Sequence, residues 1–299
     1  MLKVSHICKN YEDVKAVDDL SFEVKEGQIF GLLGVNGAGK TTTFRMIVGL
    51  LEPDSGNIEL NGQKIDYNIT NKIGFLTEER SLFIKMNVLD QVFYYGQLKG
   101  LDKKTILKRF DYWLERLHMT EYKNSKIKEL SKGNQQKIQF ITAVIHEPKL
   151  LILDEPFSAL DPFNVSLLME AIKDISKKGT IVIFSSHRME HVEMFCDNLT
   201  ILVKGKSILQ GSLKKIKEDY QKKFIHIDGD IDLDKLKKVV GVEKVDKTPN
   251  EYIVKISSKD IVNDVFDVVK KGKNITKFVV EDPTLNEIFV SKVGDVFEK

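Results

Sequence analysis

A glycine-rich segment that ends in lysine and threonine carries the strongest chemical signal in this sequence. Residues 34–41 read Gly-Val-Asn-Gly-Ala-Gly-Lys-Thr, which matches the pattern G-x-x-x-x-G-K-[ST]. Glycines let backbone N–H groups curl around phosphate oxygens without a Cβ in the way. The segment follows an apolar run at residues 28–33 and opens a helical pattern over Thr41 to Leu51, whose positive end favours anions. The sequence therefore predicts a nucleoside triphosphate site.

This phosphate loop and the residue after it supply most of the candidate cofactor contacts. Lys40 is expected to neutralise the β and γ phosphates, and the Thr41 hydroxyl is expected to bind Mg²⁺. The alternative is a glycine-rich turn that contains Lys-Thr by accident, and the strand-loop-helix context argues against it. The candidate ATP-binding residues here are Gly34, Val35, Asn36, Gly37, Ala38, Gly39, Lys40, Thr41 and Thr42.

Two adjacent carboxylates end a second apolar run, which spans residues 150–153. Asp154 and Glu155 follow that run directly. Because strand residues alternate in direction, the two carboxylates cannot do the same job. Asp154 fits the acid that holds Mg²⁺ in a phosphate-loop ATPase, and Glu155 is placed to polarise the attacking water. The alternative, a surface turn that begins at Asp-Glu-Pro, is weakened by the phosphate loop upstream.

A histidine follows a third apolar run, at residues 180–186. Ligands of α/β sheets collect at such strand ends, so the predicted role of His187 is a hydrogen bond to the γ-phosphate. A lone histidine is more often a structural group. The remaining histidines are interpreted as structural or surface groups: His6, His118, His146, His191 and His226.

The composition is that of a globular protein with a sizeable core. The chain has 299 residues, of which 42% are hydrophobic and 30% charged, so neither disorder nor a fibrous repeat fits. The formal net charge of +2 provides no basic field, so direct nucleic-acid binding is not expected. Cys8 and Cys196 lack metal-ligand spacing and are expected to be ordinary thiols in a reducing compartment.

Short apolar strands that alternate with helical patterns predict the fold class. No apolar run has the length of a membrane span, and the start lacks the apolar segment of a signal peptide. Helical spacing is seen over about Val88 to Glu147, and strand and helix then alternate to Phe195. This pattern favours an α/β fold with a mostly parallel sheet. A cytoplasmic protein that reaches a membrane only through a partner is expected.

The last part of the chain has a different pattern. Lys214–Lys223 is charge-rich and predicts a linker helix. The residues after it read as strand, helix, strand, strand, helix, strand and a last helix at Leu285–Phe297. The order βαββαβ favours a small ferredoxin-like α+β domain. The predicted domains are therefore residues 1–212 and a linker plus accessory domain at 213–299.

One further segment makes the sequence resemble the ABC ATPase family. Residues 130–137 read Leu-Ser-Lys-Gly-Asn-Gln-Gln-Lys and are similar to the signature motif of that family. The order phosphate loop, signature, acidic pair and histidine agrees with the family, over residues 2 to about 212. A plain helix N-cap at Ser131 is the alternative for this segment alone. The tail resembles, more loosely, the extra domain of some bacterial exporter ATPases, including sodium- and drug-efflux types.

The resemblance implies a fold, further site residues and partners. The implied fold is a phosphate-loop NTPase (RecA-like) core with an antiparallel β subdomain and a helical subdomain at about 88–147. Two such subunits, identical or related, would meet head to tail and enclose ATP, and a separate multi-span membrane permease would receive the motion. The implied ATP contacts beyond the phosphate loop are Tyr11, which would stack on adenine, the signature residues Ser131, Gly133 and Asn134, and Asp161 in the D-loop. A buried strand tyrosine is the alternative for Tyr11.

Three residues depart from the family pattern. Glu78 stands where glutamine is usual, Lys132 replaces the commoner glycine, and Asn134 replaces the commoner glutamine. An acid at position 78 could still reach Mg²⁺ through oxygen, so Thr41, Glu78 and Asp154 are the candidate metal ligands. ATP binding is still expected with these departures, and the sequence leaves the rate of ATP hydrolysis open.

Two other functions remain open from the sequence. One is an ABC protein that acts on ribosomes or DNA. A single cassette without a long coiled coil, at near-neutral charge, argues against it. The other is a regulatory module that binds ATP without useful turnover and uses the tail as a sensor.

Overall fold

The computed structural model describes residues 1–79, 81–220 and 223–297, and of these the side chains of residues 67, 68, 291 and 293–297 are left undescribed. The chain divides into two compact units, Met1–Gln210 and Gly211–Lys299. The sequence-based boundary between residues 212 and 213 lies slightly after this division. Within the described ranges, every helix is too short or too polar to span a bilayer.

The first unit contains two sheets and several helices. Its strands are β1 (Leu2–Tyr11), β2 (Val14–Val24), β3 (Ile29–Gly34), β4 (Ser55–Leu60), β5 (Gln63–Lys64), β6 (Ile73–Leu76), β7 (Leu150–Leu153), β8 (Ile181–Ser186), β9 (Asn198–Val203) and β10 (Lys206–Ser212). Its helices are α1 (Lys40–Ile47), α2 (Val88–Leu98), α3 (Lys103–Arg116), α4 (Lys132–Val144), α5 (Pro162–Lys177) and α6 (Met189–Phe195).

The larger sheet gathers the predicted chemical groups at one edge. Its strand order is β10-β9-β3-β8-β7-β6, and the pairs from β9 to β6 are parallel. Because parallel strands end at the same edge, the segments after β3, β7 and β8 meet there. These segments are the phosphate loop, the acidic pair and His187. The strands β3, β7 and β8 are buried throughout, as expected for a parallel sheet covered on both faces.

The smaller sheet is antiparallel, with the order β2-β1-β4-β5. The helical region from α2 to α4 lies between β6 and β7 in the chain. It consists of three α-helices rather than one continuous helical stretch, and the segment between α3 and α4 contains two short 3-10 helices, Thr120–Tyr122 and Ile127–Glu129. The phosphate-loop NTPase class that was predicted, with an antiparallel sheet and a helical region, is the fold observed.

Helix α1 ends earlier than the sequence pattern predicts. The apolar spacing suggested a helix to Leu51, but α1 ends at Ile47. Gly49 has a φ of 74°, and the N–H groups of Gly49 and Leu50 donate to the carbonyls of Met46 and Arg45. This pair of bonds is the Schellman ending that a glycine in left-handed conformation allows.

The second unit contains a four-stranded antiparallel sheet with helices on one face. Its elements are α7 (Leu213–Asp219), β11 (Lys223–Asp230), α8 (Leu233–Lys237), β12 (Val242–Lys247), β13 (Tyr252–Ile256), α9 (Val262–Val269), β14 (Lys273–Glu281) and α10 (Leu285–Phe297). The strand order is β12-β13-β11-β14, and Ile225, Val254 and Val265 belong to its core. The order βαββαβ with these neighbours is a ferredoxin-like arrangement. Residues 221 and 222, within the predicted linker helix, lie outside the described residues.

Candidate nucleotide site

The phosphate loop joins β3 to α1, and the residue that precedes α1 must be a glycine. Gly39 precedes α1 with a φ of 102°, a left-handed value that disfavours other residues. A Cβ on Gly39 would lie 2.3 Å from the Ala16 carbonyl oxygen, so glycine is also required by space. No side chain caps α1, and its first N–H groups therefore remain available for a ligand.

Lys40 lies folded against the loop that precedes it. Its Nζ donates hydrogen bonds to the carbonyl oxygens of Gly34, at 2.7 Å, and Val35, at 3.2 Å. Only 7% of the residue is exposed, and this burial lowers the pKa of the Lys40 ammonium. The carboxylates of Glu155, Asp154 and Glu78 oppose that shift by attraction, in that order of strength. One cation thus faces three nearby carboxylates.

Asp154 is fixed by two hydroxyl groups. Thr41 Oγ1 donates to one carboxylate oxygen at 3.0 Å, and Ser185 Oγ donates to the other at 2.5 Å. Ser185 Oγ also accepts a bond from the Glu155 N–H at 3.0 Å. Sequence reasoning did not identify Ser185 as a site residue. Its only signal was its position near the end of β8, beside the strand that carries the acidic pair.

Glu155 and His187 form a pair at the same edge of the sheet. His187 Nδ1 lies 2.9 Å from Glu155 Oε1, and Glu155 has a φ of 49°. Burial is the largest influence on the Glu155 carboxyl and raises its pKa, while the hydrogen bond to His187 acts in the opposite direction. The sequence suggested the γ-phosphate as the partner of His187. The observed partner is Glu155, because the two strands that carry them are neighbours.

These groups surround a cavity of about 640 Å³. Of the predicted residues, it is lined by Asn36, Gly37, Ala38, Gly39, Lys40, Thr41, Thr42, Glu78 and Glu155. It is also lined by Asp13, Val14, Lys15, Ala16 and Lys204, which sequence reasoning missed. Asp13 and Lys204 lie in the β1–β2 and β9–β10 turns, and the other three begin β2; nothing in their residue types signals a ligand. Their proximity follows from the close approach of Gly205 to the Lys15 and Ala16 carbonyls.

Several predicted residues lie outside the cavity lining. Gly34 and Val35 lie at the entry of the loop, Asp154 is buried and bonded to Thr41, and His187 is exposed and bonded to Glu155. Tyr11 is half-exposed and pairs with Val14, a residue of the lining. Tyr11 itself is not part of the lining. The remaining predicted contacts outside the lining are Ser131, Gly133, Asn134 and Asp161.

The signature segment forms a separate, open helix terminus. Ser131 is exposed and caps α4, because its Oγ accepts a hydrogen bond from the Asn134 N–H at 3.2 Å. A Cβ on Gly133 would lie 3.1 Å from the Ala159 carbonyl oxygen, so α4 packs closely against the segment after the acidic pair. Asp161 likewise caps α5, through a 3.0 Å bond from the Asn164 N–H that lowers the pKa of its carboxyl.

The oxygen groups fit a magnesium ion that is shared with a phosphate. Thr41 and Asp154 are hydrogen-bonded to each other, and Glu78 faces the same cavity. Within the described residues, no group of three or more histidine, cysteine or acidic side chains could hold a metal alone. Phosphate oxygens would have to complete the coordination, which is the usual arrangement for Mg²⁺ at nucleotides.

Comparisons with known proteins agree with this geometry. The sequence pattern of the family described as ABC transporter matches residues 17–158. That of the DrrA1-3-like ATP-binding protein C-terminal domain matches residues 211–293. The uncharacterized ABC transporter ATP-binding protein YhaQ of Bacillus subtilis is 51% identical over 298 residues, which covers 100% of both chains.

More distant relatives carry functional names. The linearmycin resistance ATP-binding protein LnrL of Bacillus subtilis is 37% identical over 71% of this chain and 69% of its own. A solved structure of an ATP-binding subunit of an ABC transporter has a TM-score of 0.69 at 29% identity, covering 74% of this chain and 93% of that one. The chain therefore belongs to the ABC transporter ATP-binding protein family and is an ATP-binding ATPase subunit.

Proposed function

We propose that two copies of this chain, or one copy with a related ATPase subunit, close head to tail around ATP and thereby drive a membrane exporter. The transport pathway would be a separate multi-span permease. The ATPase would work on the cytoplasmic side, at the inner face of the cell membrane, bound through that permease. Closing and opening of the two ATPase subunits would supply the motion.

One observation carries the proposal of a shared site. The phosphate loop, Lys40 and Glu155 line one cavity, whereas the signature residues Ser131 and Gly133 lie outside it on an exposed helix terminus. A helix N-terminus is a ready site for an anion. The signature of one chain can therefore complete the phosphate cage of another, in the symmetric arrangement that a head-to-tail pair requires.

The residues of the cavity suggest how ATP would be cleaved. Loop N–H groups and Lys40 would hold the phosphates, while Glu155 would accept a proton from the attacking water. His187 engages Glu155 through Nδ1, so Nε2 is the nitrogen left to contact the γ-phosphate. Thr41, Asp154 and Glu78 would hold Mg²⁺, which supplies neutralisation of the phosphate charge.

A chain of contacts links the cavity to the helical region. Gln139 Nε2, on α4, donates to the Thr77 carbonyl at 2.9 Å and to the Glu79 carbonyl at 3.2 Å, on either side of Glu78. The signature begins the same helix. Tyr95 OH, on α2, donates to the Ser81 carbonyl at 2.9 Å. A change at Glu78 would therefore be felt by both helices.

The helical region also offers an apolar surface to the permease. Phe83 and Tyr94 are exposed and meet edge to face, with ring centroids 5.4 Å apart. Ile84 and Leu98 extend this surface. Clustered exposed apolar groups of this kind mark interaction sites. The name of one relative supports export as the direction, since LnrL is a linearmycin resistance ATP-binding protein.

The Glu155→Gln variant tests the proposed hydrolysis and the shared site. Without the base, the hydrolysis rate should fall by about 10²–10⁴-fold, while the phosphate loop still binds ATP. The variant should then accumulate as an ATP-dependent dimer, measured by light scattering after size exclusion. Normal turnover would remove Glu155 from the role of base. Loss of hydrolysis without any dimer would contradict the head-to-tail arrangement.

Purification from cells tests the transport role separately. The tagged chain should co-purify with a multi-span membrane protein, and its ATPase rate should change when that protein is present. Co-sedimentation with ribosomes, with no membrane protein in the eluate, would favour the non-transport alternative instead. An intact ATP site with no measurable turnover in either state would favour a regulatory module.

A further inference from the structure

A second cavity of about 520 Å³ lies away from the nucleotide site. It is bounded by α3, by the segment between α4 and β7, and by the segment between α5 and β8. Pro148 and Thr180, which precede β7 and β8, line it. It therefore lies at the amino ends of these strands, at the sheet edge opposite the phosphate loop. We call it the basic cavity.

The charge of the basic cavity is positive and mostly unpaired. Its lining contains Lys108, Lys149 and Lys178, and in the described part of the chain none of their ammonium groups forms an ion pair with a carboxylate. The remaining two charges neutralise each other, since Arg109 is paired with Glu147 and also donates to the Ile145 carbonyl at 3.0 Å. Three ammonium groups around one cavity attract an anion.

The same cavity has an aromatic and aliphatic wall. Trp113 is 8% exposed and Tyr112 is 46% exposed, with ring centroids 5.1 Å apart, and Ile175 faces them from α5. The Lys178 ammonium lies 5.8 Å from the Tyr112 ring centroid. A cation beside an aromatic wall suits a ligand with both an anionic group and a flat apolar body.

The helix ends limit how much negative charge the ligand can carry. The cavity is reached by the C-terminal ends of α4, at Val144, and of α5, at Ile175, and these ends carry partial negative charge. It has no glycine-rich loop and no helix N-terminus of the kind that holds a triphosphate. The volume is within the range of roughly 300–1,000 Å³ that is usual for small-molecule sites.

We propose that the basic cavity binds a small organic anion with a single acidic group, such as a carboxylate or sulfonate, on a flat apolar body. The acidic group lies among Lys108, Lys149 and Lys178, and the apolar body packs against Tyr112 and Trp113. This site is independent of the nucleotide site. Because α3 and α5 both line it, a bound ligand bridges the helical region and the sheet core of the first unit.

The test uses the fluorescent anion anilinonaphthalenesulfonate with the full chain at saturating ADP, which keeps the probe out of the nucleotide cavity. Trp113 is the only tryptophan of the chain, so energy transfer from it reports binding nearby. One probe per chain should bind. The uncharged analogue phenylnaphthylamine should bind at least about tenfold more weakly, because it cannot use the lysines. Equal affinity of the two probes would overturn the proposal.

Paired variants locate the probe. Lys178→Ala and Lys149→Ala should each weaken the anionic probe by about three- to fivefold, as expected for the loss of one exposed charge. Lys177→Ala is the matched control, since Lys177 is an exposed neighbour outside the cavity lining, and it should change the affinity less than about 1.5-fold. Equal losses for Lys177→Ala and Lys178→Ala would overturn the assignment.

Two further measurements separate the anionic and apolar contributions. Tyr112→Ala should weaken both probes, because it removes part of the aromatic wall, and circular dichroism would verify that the variant is folded. Inorganic phosphate at millimolar concentration should leave the anionic probe bound, since it has no apolar body. Displacement by phosphate, or an unchanged affinity in Tyr112→Ala, would reduce the cavity to a plain anion site and refute the proposed ligand class.

Discussion

The phosphate loop and the signature segment each lead into a helix, but the N-termini of these two helices are capped differently. Helix α1 has no side-chain cap, and its loop encloses one side of a cavity. Helix α4 is capped by its own Ser131 and is exposed. The first terminus has no side-chain cap and faces its own chain's cavity, whereas in the second Ser131 satisfies one N–H group and the terminus is exposed. This difference is what the proposed site, divided between two chains, requires.

Lys40→Ala should have the largest effect of these variants, because it changes ATP binding at the phosphate loop. The change removes the charge that faces the phosphates, so ATP affinity of the isolated chain should fall by at least about a hundredfold. Isothermal titration with ATP measures it. Lys132→Ala is the matched control, since Lys132 is an exposed lysine of the signature segment. Unchanged affinity in Lys40→Ala would contradict the phosphate-loop assignment.

Gly133→Arg acts on the open half and should separate binding from hydrolysis. A long side chain at Gly133 blocks approach of a second chain to the α4 terminus, so the hydrolysis rate should fall by about 10²–10³-fold. The ATP affinity of the isolated chain should stay within about twofold, because Gly133 is outside its cavity. Equal loss of binding and hydrolysis would mean that signature and loop act within one chain. Circular dichroism would verify the fold, since Gly133 approaches the Ala159 carbonyl.

His187→Ala should lower the maximum rate of hydrolysis and should also change its pH dependence. Burial raises the pKa of Glu155, and the His187 hydrogen bond lowers it, so loss of that bond raises the pKa further. A base works only when deprotonated, and activity is lost as the pH falls through its pKa. The acid limb of kcat should therefore move to higher pH. His118→Ala, an exposed histidine outside the cavity, should leave the limb unchanged.

Glu78→Gln should have the smallest effect and would sharpen the assignment of the metal ligands. The variant keeps an oxygen but removes one negative charge from the cavity, so the Mg²⁺ concentration for half-maximal hydrolysis should rise by about two- to fivefold. A magnesium titration at fixed ATP measures it. Glu79→Gln, the adjacent acid outside the cavity lining, is the control. An unchanged magnesium requirement would exclude Glu78 from the metal site.

The phosphate loop and the acidic pair could be predicted from the sequence because their chemistry requires a fixed local pattern of residues. The strand, the glycines and Lys40 lie within one short segment, and so do Asp154 and Glu155. Ser185 was missed, because a serine at the end of a buried strand is ambiguous until β8 is known to pair with β7. Lys15 and Lys204 were missed for the same reason, since only the approach of the β9–β10 turn to the start of β2 brings them to the cavity.

Boundaries were harder to predict than element types. The early end of α1 depends on the conformation of Gly49, which apolar periodicity does not encode. In the second unit the order of the elements, βαββαβ, was predicted correctly, because alternation within its strands was a sufficient signal. The pairing of His187 with Glu155 needed the register of two strands that are far apart in the chain.

Native mass spectrometry of mixed variants tests the divided site most directly. Chains that carry Lys40→Ala and chains that carry Gly133→Arg, both with Glu155→Gln, are each predicted to remain monomeric with ATP. Mixed in equal amounts, they should form heterodimers that hold one ATP, because one loop and one signature remain intact and face each other. Failure of the mixture to form any ATP-dependent heterodimer, or ATP-dependent dimers of either variant alone, would contradict a site built from two chains.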